Sequence, residues 1–198
     1  MLRVRSFTDI VLGDPVGGRV CGACVACCSL LEIDTPSLKK TPGRLCPHCT
    51  GQGCGVYDER PSPCRTYFCA WRRIAALGEE TRPDRLGLML HLAHPKPAPN
   101  PLMHVYISLQ PLTSWAEVRP GGLKTVMAVL RTGALPVWRF DRGEEQLLHP
   151  SPAVARIVLR GGQPRTRRVA SEAEQWVLSQ AAYAQGPWPA PPYGPAPR

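Results

Sequence analysis

The sequence predicts an α+β protein in two parts. The first is a metal-stapled, cysteine-rich N-terminal module with little regular structure; the second is a small antiparallel sheet with one or two packed helices. Three observations predict it. All nine cysteines fall between Cys21 and Cys69, and none in the long remainder. Apolar residues alternate over Leu86, Leu88, Leu90 and Leu92, and again over Met103, Val105, Ile107 and Leu109, a period that only strands show. Leu123, Val126, Met127 and Leu130 fall at i, i+3, i+4 and i+7, the stripe of an amphipathic helix.

Taken in order, residues 1–20 form a lead-in. Val4, Phe7, Ile10 and Val11 suit a short helical face that Gly13, Pro15, Gly17 and Gly18 end. The cysteines follow as CGACVACC (Cys21, Cys24, Cys27, Cys28), CPHC (Cys46, Cys49), Cys54 in GQGCGVY, and Cys64 and Cys69 in RPSPCRTYFC. Ser29 to Ile33 reads as a short strand or helical turn, and Asp34 to Arg44 as an exposed loop. The run Pro63 to Leu77 suits one helix that lays Phe68 and Cys69 on the cysteines, sends arginine heads to water and stops at Gly78. Residues 1–80 therefore make up the cysteine module.

Residues 81–168 are expected to form the small α+β region. Its strands are the two alternating runs, then Leu135 to Phe140 and Gln146 to His149 around a DRG turn. Its helix spans about 122–132, with Gly133 where a C-cap belongs, and Ser114 with Glu117 resembles a capping box. Pro152 to Leu159 fits helix or strand. Residues 169–198 are an amphipathic helix over 171–184, opened by Ser171 with Glu174 and burying Trp176, Val177 and Ala181, and then a Pro-rich flexible tail in which Pro189 and Pro192 make a P-x-x-P.

Dense, short-spaced cysteines in a reducing compartment point to metal rather than disulfides. Thiolates are soft ligands that suit zinc, iron–sulfur clusters or copper(I), and a C-x-x-C pair supplies half of a four-thiolate site. Two tetrahedral sites use eight of the nine cysteines. Cys21, Cys24 and Cys27 also reproduce the first three positions of the bacterial ferredoxin run without its fourth, so an iron–sulfur centre stays open. Adjacent side chains usually diverge, so Cys27 and Cys28 either serve different ions or one of them bridges. His48 lies between two candidate ligands, where a histidine usually points away.

These residues resemble a family. C-x-x-C-x-x-C-C, then a cysteine, then G-C-x-V-Y-x-x-R-P-x-x-C-R-x-Y/F-x-C-x-W, is similar over about residues 21–71 to the YkgJ-type zinc- or iron-chelating cysteine-cluster proteins. The resemblance implies a metal-chelating module whose ligands fall on Cys21, Cys24, Cys27, Cys28, Cys46, Cys54, Cys64 and Cys69, with signature residues at Tyr57, Arg60, Pro61, Arg65 and Trp71. Cys49 departs from the pattern, which leaves either a spare thiol or a ninth ligand. Arg60 and Arg65 are expected to donate to thiolate sulfur and offset its charge, and Tyr57 and Trp71 to pack over the cluster.

The expected cofactor is therefore zinc or iron, two or more ions, and the expected role is structural or in metal handling. An iron–sulfur redox protein is the first alternative and a zinc-ribbon-like nucleic-acid binder the second. Lys+Arg 24 against Asp+Glu 15 gives a formal charge of +9, but the basic residues are scattered and Arg165, Arg167 and Arg168 have no aromatic beside them in sequence, so nucleic acid is disfavoured. There is no Gly-rich phosphate loop, G-x-S-x-G elbow or H-E-x-x-H, and no catalytic residue is assigned. Absence of a long apolar run predicts a cytoplasmic protein with no membrane partner. Metal ions are the expected partners.

Overall fold

The structure is a computed structural model that describes residues 7–185. Val4 and the P-x-x-P tail lie outside the described residues. The cysteine segment carries only short elements: α1 (Phe7–Leu12), α2 (Ala26–Leu30), the hairpin strands β1 (Ile33–Asp34) and β2 (Lys39–Lys40), α3 (Ser62–Thr66) and α4 (Ala70–Arg73). After a 3-10 turn at Glu79–Thr81 come α5 (Pro83–Leu86), β3 (Leu88–Ala93), β4 (Tyr106–Pro111), a 3-10 turn at Trp115–Glu117, α6 (Pro120–Leu130), β5 (Val137–Asp141), β6 (Glu144–His149), α7 (Pro152–Arg160) and α8 (Arg167–Gln185). The fold is α+β.

The main sheet has the order β3-β4-β5-β6 and is mixed, not antiparallel as expected. β3 pairs antiparallel with β4, and β5 with β6, but β4 and β5 run parallel, with Ile107 opposite Val137. The cause lies in the connection. A hairpin reverses the chain, whereas α6 carries it back to the end at which β4 began, so β5 enters in the same direction.

Both faces of the sheet are covered, which takes more helices than the one or two expected. On one face Leu88, Leu90, Ile107, Leu109 and Val137 pack with Val126 and Leu130 of α6, with Val11 and Leu12 of α1, and with Ala70 and Trp71 of α4. On the other, Tyr106 and Trp138 pack with Val154 of α7 and with Ala173 and Trp176 of α8. The main core therefore crosses residue 80, because α1 and α4 of the cysteine module are built into it. Gln180 of α8 donates its amide to Val105 O at 3.0 Å and accepts from Val105 N at 3.1 Å, fixing the helix at the start of β4.

Three helices differ from expectation for local reasons. The run Pro63 to Leu77 breaks into α3 and α4, with Tyr67 and Cys69 extended between them. Pro152 to Leu159 is helical: the Ser151 side chain caps Val154 N, Pro152 sits in the first turn, and Gly161 closes it in the left-handed region at φ 65°. α8 starts four residues before Ser171, with Val169 N donating to Thr166 Oγ1 at 3.3 Å, and Val177 is exposed. At the end of α6 the cap is Arg131 rather than Gly133, and Ser114 opens only the 3-10 turn, where its hydroxyl meets Glu117 at 3.3 Å.

A buried ion pair joins the lead-in to α4. Arg73 Nη1 donates to Asp9 Oδ1 at 2.7 Å, with both side chains at most 2% exposed, and also to Gly13 O at 2.6 Å. Removing one partner strands a charge in the core. Asp9→Ala should lower stability by roughly 3–5 kcal/mol, read by urea denaturation.

A second buried polar position lies in the sheet. His91 and Ser108 are register partners on β3 and β4, and the imidazole Nδ1 and the hydroxyl are both sealed from solvent without a hydrogen-bond partner. Burial pushes His91 down to about 4, so it is neutral in the folded state at neutral pH. The unfolded chain binds the extra proton between about 6.5 and 4, so this stability is full above pH 6.5 and is lost as pH falls through that window. Between pH 7 and 5 the wild type should lose on the order of 1–2 kcal/mol relative to His91→Gln, measured by parallel denaturant titrations.

Candidate metal centre

The cysteine segment folds as a series of tight turns, each of which presents thiols. Cys24 N donates to Cys21 O at 3.0 Å, closing the first C-x-x-C turn, in which Gly22 takes φ 56°. α2 carries Cys27 and Cys28. Cys49 N donates to Cys46 O at 2.9 Å, closing the second such turn, and Cys46 N donates to Cys28 O at 2.9 Å, stitching that turn to α2. Cys49 and Cys54 face each other as an antiparallel bridge, held by Gly55 N to His48 O at 2.8 Å and Thr50 N to Gly53 O at 3.0 Å. α3 supplies Cys64, and Cys69 occupies the N-cap of α4.

These turns enclose a cavity of about 160 Å³ lined by Cys21, Cys24, Cys27, Cys28, Cys46, Cys54 and Cys64, together with His48, Tyr57, Arg60 and Tyr67. All nine cysteines are free thiols. Cys49 is outside the lining; with Cys28 and Cys64 it packs on Cys46, Ile33 and Leu38, a small core separate from the two sheet cores. Cys69 lies deeper, against the main core. Among the described residues, no group of three or more His, Cys, Asp or Glu side chains is disposed to hold a metal ion.

Burial and mutual proximity raise Cys24, Cys28, Cys64 and Cys69 above the ordinary thiol value. Burial pushes Cys69 up to about 11, against backbone N–H groups of α4 that favour its thiolate, and the neighbouring Cys21 and Cys24 push it the same way. Burial also raises Cys24 and Cys64; Cys28, Cys46 and Cys54 add to the rise at Cys64, and Arg60 opposes it. Cys28 is raised most by its hydrogen bond with the Cys27 thiol and then by burial.

The arginines and aromatics of the segment behave differently from the reading of the sequence. Arg60 does line the cavity, but it donates to Tyr57 O at 2.7 Å and Cys64 O at 3.5 Å, not to sulfur, and its guanidinium lies 3.6 Å from the centre of the half-exposed Tyr57 ring. Arg65 is exposed on the last turn of α3. Trp71 belongs to the main core, its indole donating to Gly78 O at 3.0 Å, and does not cover the thiols. Arg73 is buried rather than solvated, and Arg72 donates to Arg19 O.

The reading of the sequence met Tyr67 only as the Y/F position of the family resemblance and gave it no role. Its hydroxyl is sealed from solvent with no hydrogen-bond partner, and its ring borders the cavity. Burial holds the phenol well above its ordinary value, and Cys69, Cys27 and Cys21 push the same way. The signal in the sequence is its place as the Y/F of that motif, two residues before Cys69, where an aromatic reads first as packing.

Comparison of the chain with protein-family models, with characterised proteins and with solved structures gives no match. The thiol chemistry is directly testable. The thiolate is the nucleophile, so a thiol raised to about 11 carries roughly a hundredfold less of it at neutral pH than an ordinary cysteine. In chelator-treated protein, Cys69 should be among the last cysteines alkylated by iodoacetamide, followed site by site by mass spectrometry, and unfolding should abolish the difference.

Proposed function

We propose that this protein chelates zinc or iron through the thiolates of its cysteine segment, in a structural or metal-handling role. The observation that carries the reading is that seven of the nine cysteines line one cavity. The donor chemistry fits: seven thiols border the cavity, and soft sulfur suits zinc or iron over hard cations. The resemblance to YkgJ-type cysteine-cluster proteins points the same way.

Energetics supports it too. Away from α1 and α4, the segment's own core is Ile33, Leu38 and Cys46 with three thiols against them, too little apolar surface to order so many turns. A bound ion supplies that free energy by cross-linking the turns, and each ligating thiol gives up its proton to solvent. Since no three donors already stand around one point, the turns at 21–24 and 46–55 must close inward on binding. A reducing, cytoplasmic setting would keep the thiols available.

Elemental analysis of anaerobically purified protein should find about two equivalents of zinc or iron, the number that eight thiolates hold in tetrahedral sites. Less than one equivalent after careful reconstitution would overturn the reading, and acid-labile sulfide would identify an iron–sulfur form. Cys49→Ser should keep nearly the full metal content, since the resemblance places no ligand at Cys49 and two four-thiolate sites need only eight cysteines, whereas Cys54→Ser and Cys64→Ser should each lose about one equivalent.

A further inference from the structure

We propose that Cys49 and Cys54 are a thiol pair placed to close reversibly into a disulfide and, resting on the metal-chelating reading, that closure withdraws Cys54 from metal. The observation is one of backbone register. Cys49 and Cys54 are partners in an antiparallel bridge. The bonds that make the bridge, Gly55 N to His48 O at 2.8 Å and Thr50 N to Gly53 O at 3.0 Å, flank the two cysteines on either side. Cys49 and Cys54 are therefore the non-hydrogen-bonded kind of cross-strand pair. In such a pair the Cα atoms stand about 4.5 Å apart and the two side chains leave on the same face. A disulfide closes where Cα atoms are roughly 4.4–6.8 Å apart, so the fold holds these two cysteines within its range.

The turn that sets this register is well fixed. The Thr50 hydroxyl donates to Gly53 O at 3.2 Å and accepts from Gln52 N at 3.4 Å, and Gly51 and Gly53 take the positive φ the reversal needs. A Cβ on Gly55 would meet the Thr50 methyl at 3.3 Å, so the two arms lie close together. Cys49 and Cys54 are half-buried, while His48, Thr50, Gly51, Gln52 and Gly55 around them are exposed, so a small oxidant reaches the pair. Cys46, which shares a C-x-x-C turn with Cys49, is instead buried with Ile33 and Leu38. The pairing also gives Cys49, the cysteine that departs from the family pattern, a use that two four-thiolate sites leave open.

The oxidant is a small-molecule disulfide such as oxidised glutathione. One cysteine of the pair loses its proton to water and attacks a glutathione sulfur; the S–S bond of glutathione breaks, a mixed disulfide forms and one glutathione thiolate leaves. The second cysteine, deprotonated in turn, attacks the mixed disulfide and expels the other glutathione. The pair gives up two electrons and two protons, and one oxidised glutathione becomes two thiols. Only four residues separate the cysteines. The stability a disulfide draws from closing a loop shrinks with the loop, so this bond is open to reduction by the same glutathione pool. In a reducing compartment a disulfide of this kind is transient and redox-sensing rather than structural.

The test equilibrates full-length, chelator-treated protein with oxidised glutathione under anaerobic conditions, blocks the remaining thiols with N-ethylmaleimide and maps tryptic peptides without reduction. The peptide 45–65 holds Cys46, Cys49, Cys54 and Cys64. Cys49 should be joined to Cys54, with the blocking group on Cys46 and Cys64, and dithiothreitol should restore all four thiols. Cys49 joined instead to Cys46 or to any other cysteine, no disulfide at all, or a preference for Cys54 no greater than in urea-unfolded protein, overturns the pair. The link to metal is read separately on zinc-loaded protein. The same oxidant should release about one equivalent of zinc from wild type and none from Cys49→Ser, in which Cys54 keeps its thiol. Full retention by wild type, or equal release from both proteins, overturns the link. A wild type that binds no zinc before oxidation overturns the proposed function, and the peptide map of the metal-free protein still decides the pair.

Discussion

Arg73 is buried with its guanidinium on the Asp9 carboxylate, and the rest of the molecule is arranged around that pair. The same guanidinium donates to Gly13 O and, at 3.3 Å, to Phe68 O. It therefore holds together the last residues before the cysteine segment and the first residues after it. Arg19 works beside it: its two terminal nitrogens donate to the carbonyls of Trp71, Ile74, Ala75 and Leu77, just where α4 ends and leaves carbonyls unpaired. The cysteine turns thus emerge as an excursion whose two ends are pinned to one spot. A charge pair this deep is costly to form and more costly to break, which suits a joint that must close one way only.

That joint couples the cysteines to the sheet. α4 runs directly from Cys69 into Ala70 and Trp71, which pack under β3 and β4 with α1 and α6. The helices α7 and α8 seal the opposite face, and Gln180 hydrogen-bonds both backbone groups of Val105. At Gly87 the chain turns from α5 into β3 at φ 78°, and a Cβ there would come within 3.1 Å of Glu117 O. The sheet is thus a rigid platform with conventional apolar packing, and the cysteine turns have only a small core of their own. Stability is supplied by burial in one part and, on the proposed reading, by ligation in the other.

The basic composition also reads differently in three dimensions. Several arginines are consumed in internal contacts rather than displayed. Arg82 bridges Glu79 at 2.7 Å and Asp84 at 2.6 Å, and Arg139 sits 4.3 Å over the Trp115 ring while reaching Asp141 at 3.0 Å. Lys40, on a stretch that reads as exposed loop, is buried, with its ammonium donating to the carbonyls of Ser29, Leu31 and Thr41 beneath α2. No described helix is long and apolar enough to cross a membrane.

The sequence by itself determined the elements whose information is local. Leu88, Leu90, Ile107 and Leu109 alternate, so their strands were legible, and the 3.6-residue stripe of Val126, Met127 and Leu130 specified α6. The concentration of sulfur between Cys21 and Cys69 was equally plain. The tertiary structure alone decided what depends on distant partners. The parallel pairing of β4 with β5 depends on where α6 packs. Pro63 to Leu77 breaks in two because Phe68 O answers to Arg73 and Trp71 to the core, neither of which periodicity records. Most of all, spacing could show that Cys28 and Cys46 belong to one segment but not that the Cys46 backbone N–H donates to the Cys28 carbonyl. Nor could it show that the Tyr67 hydroxyl ends unpartnered among sulfurs, because contact between side chains far apart along the chain is a property of the fold and not of any window of residues.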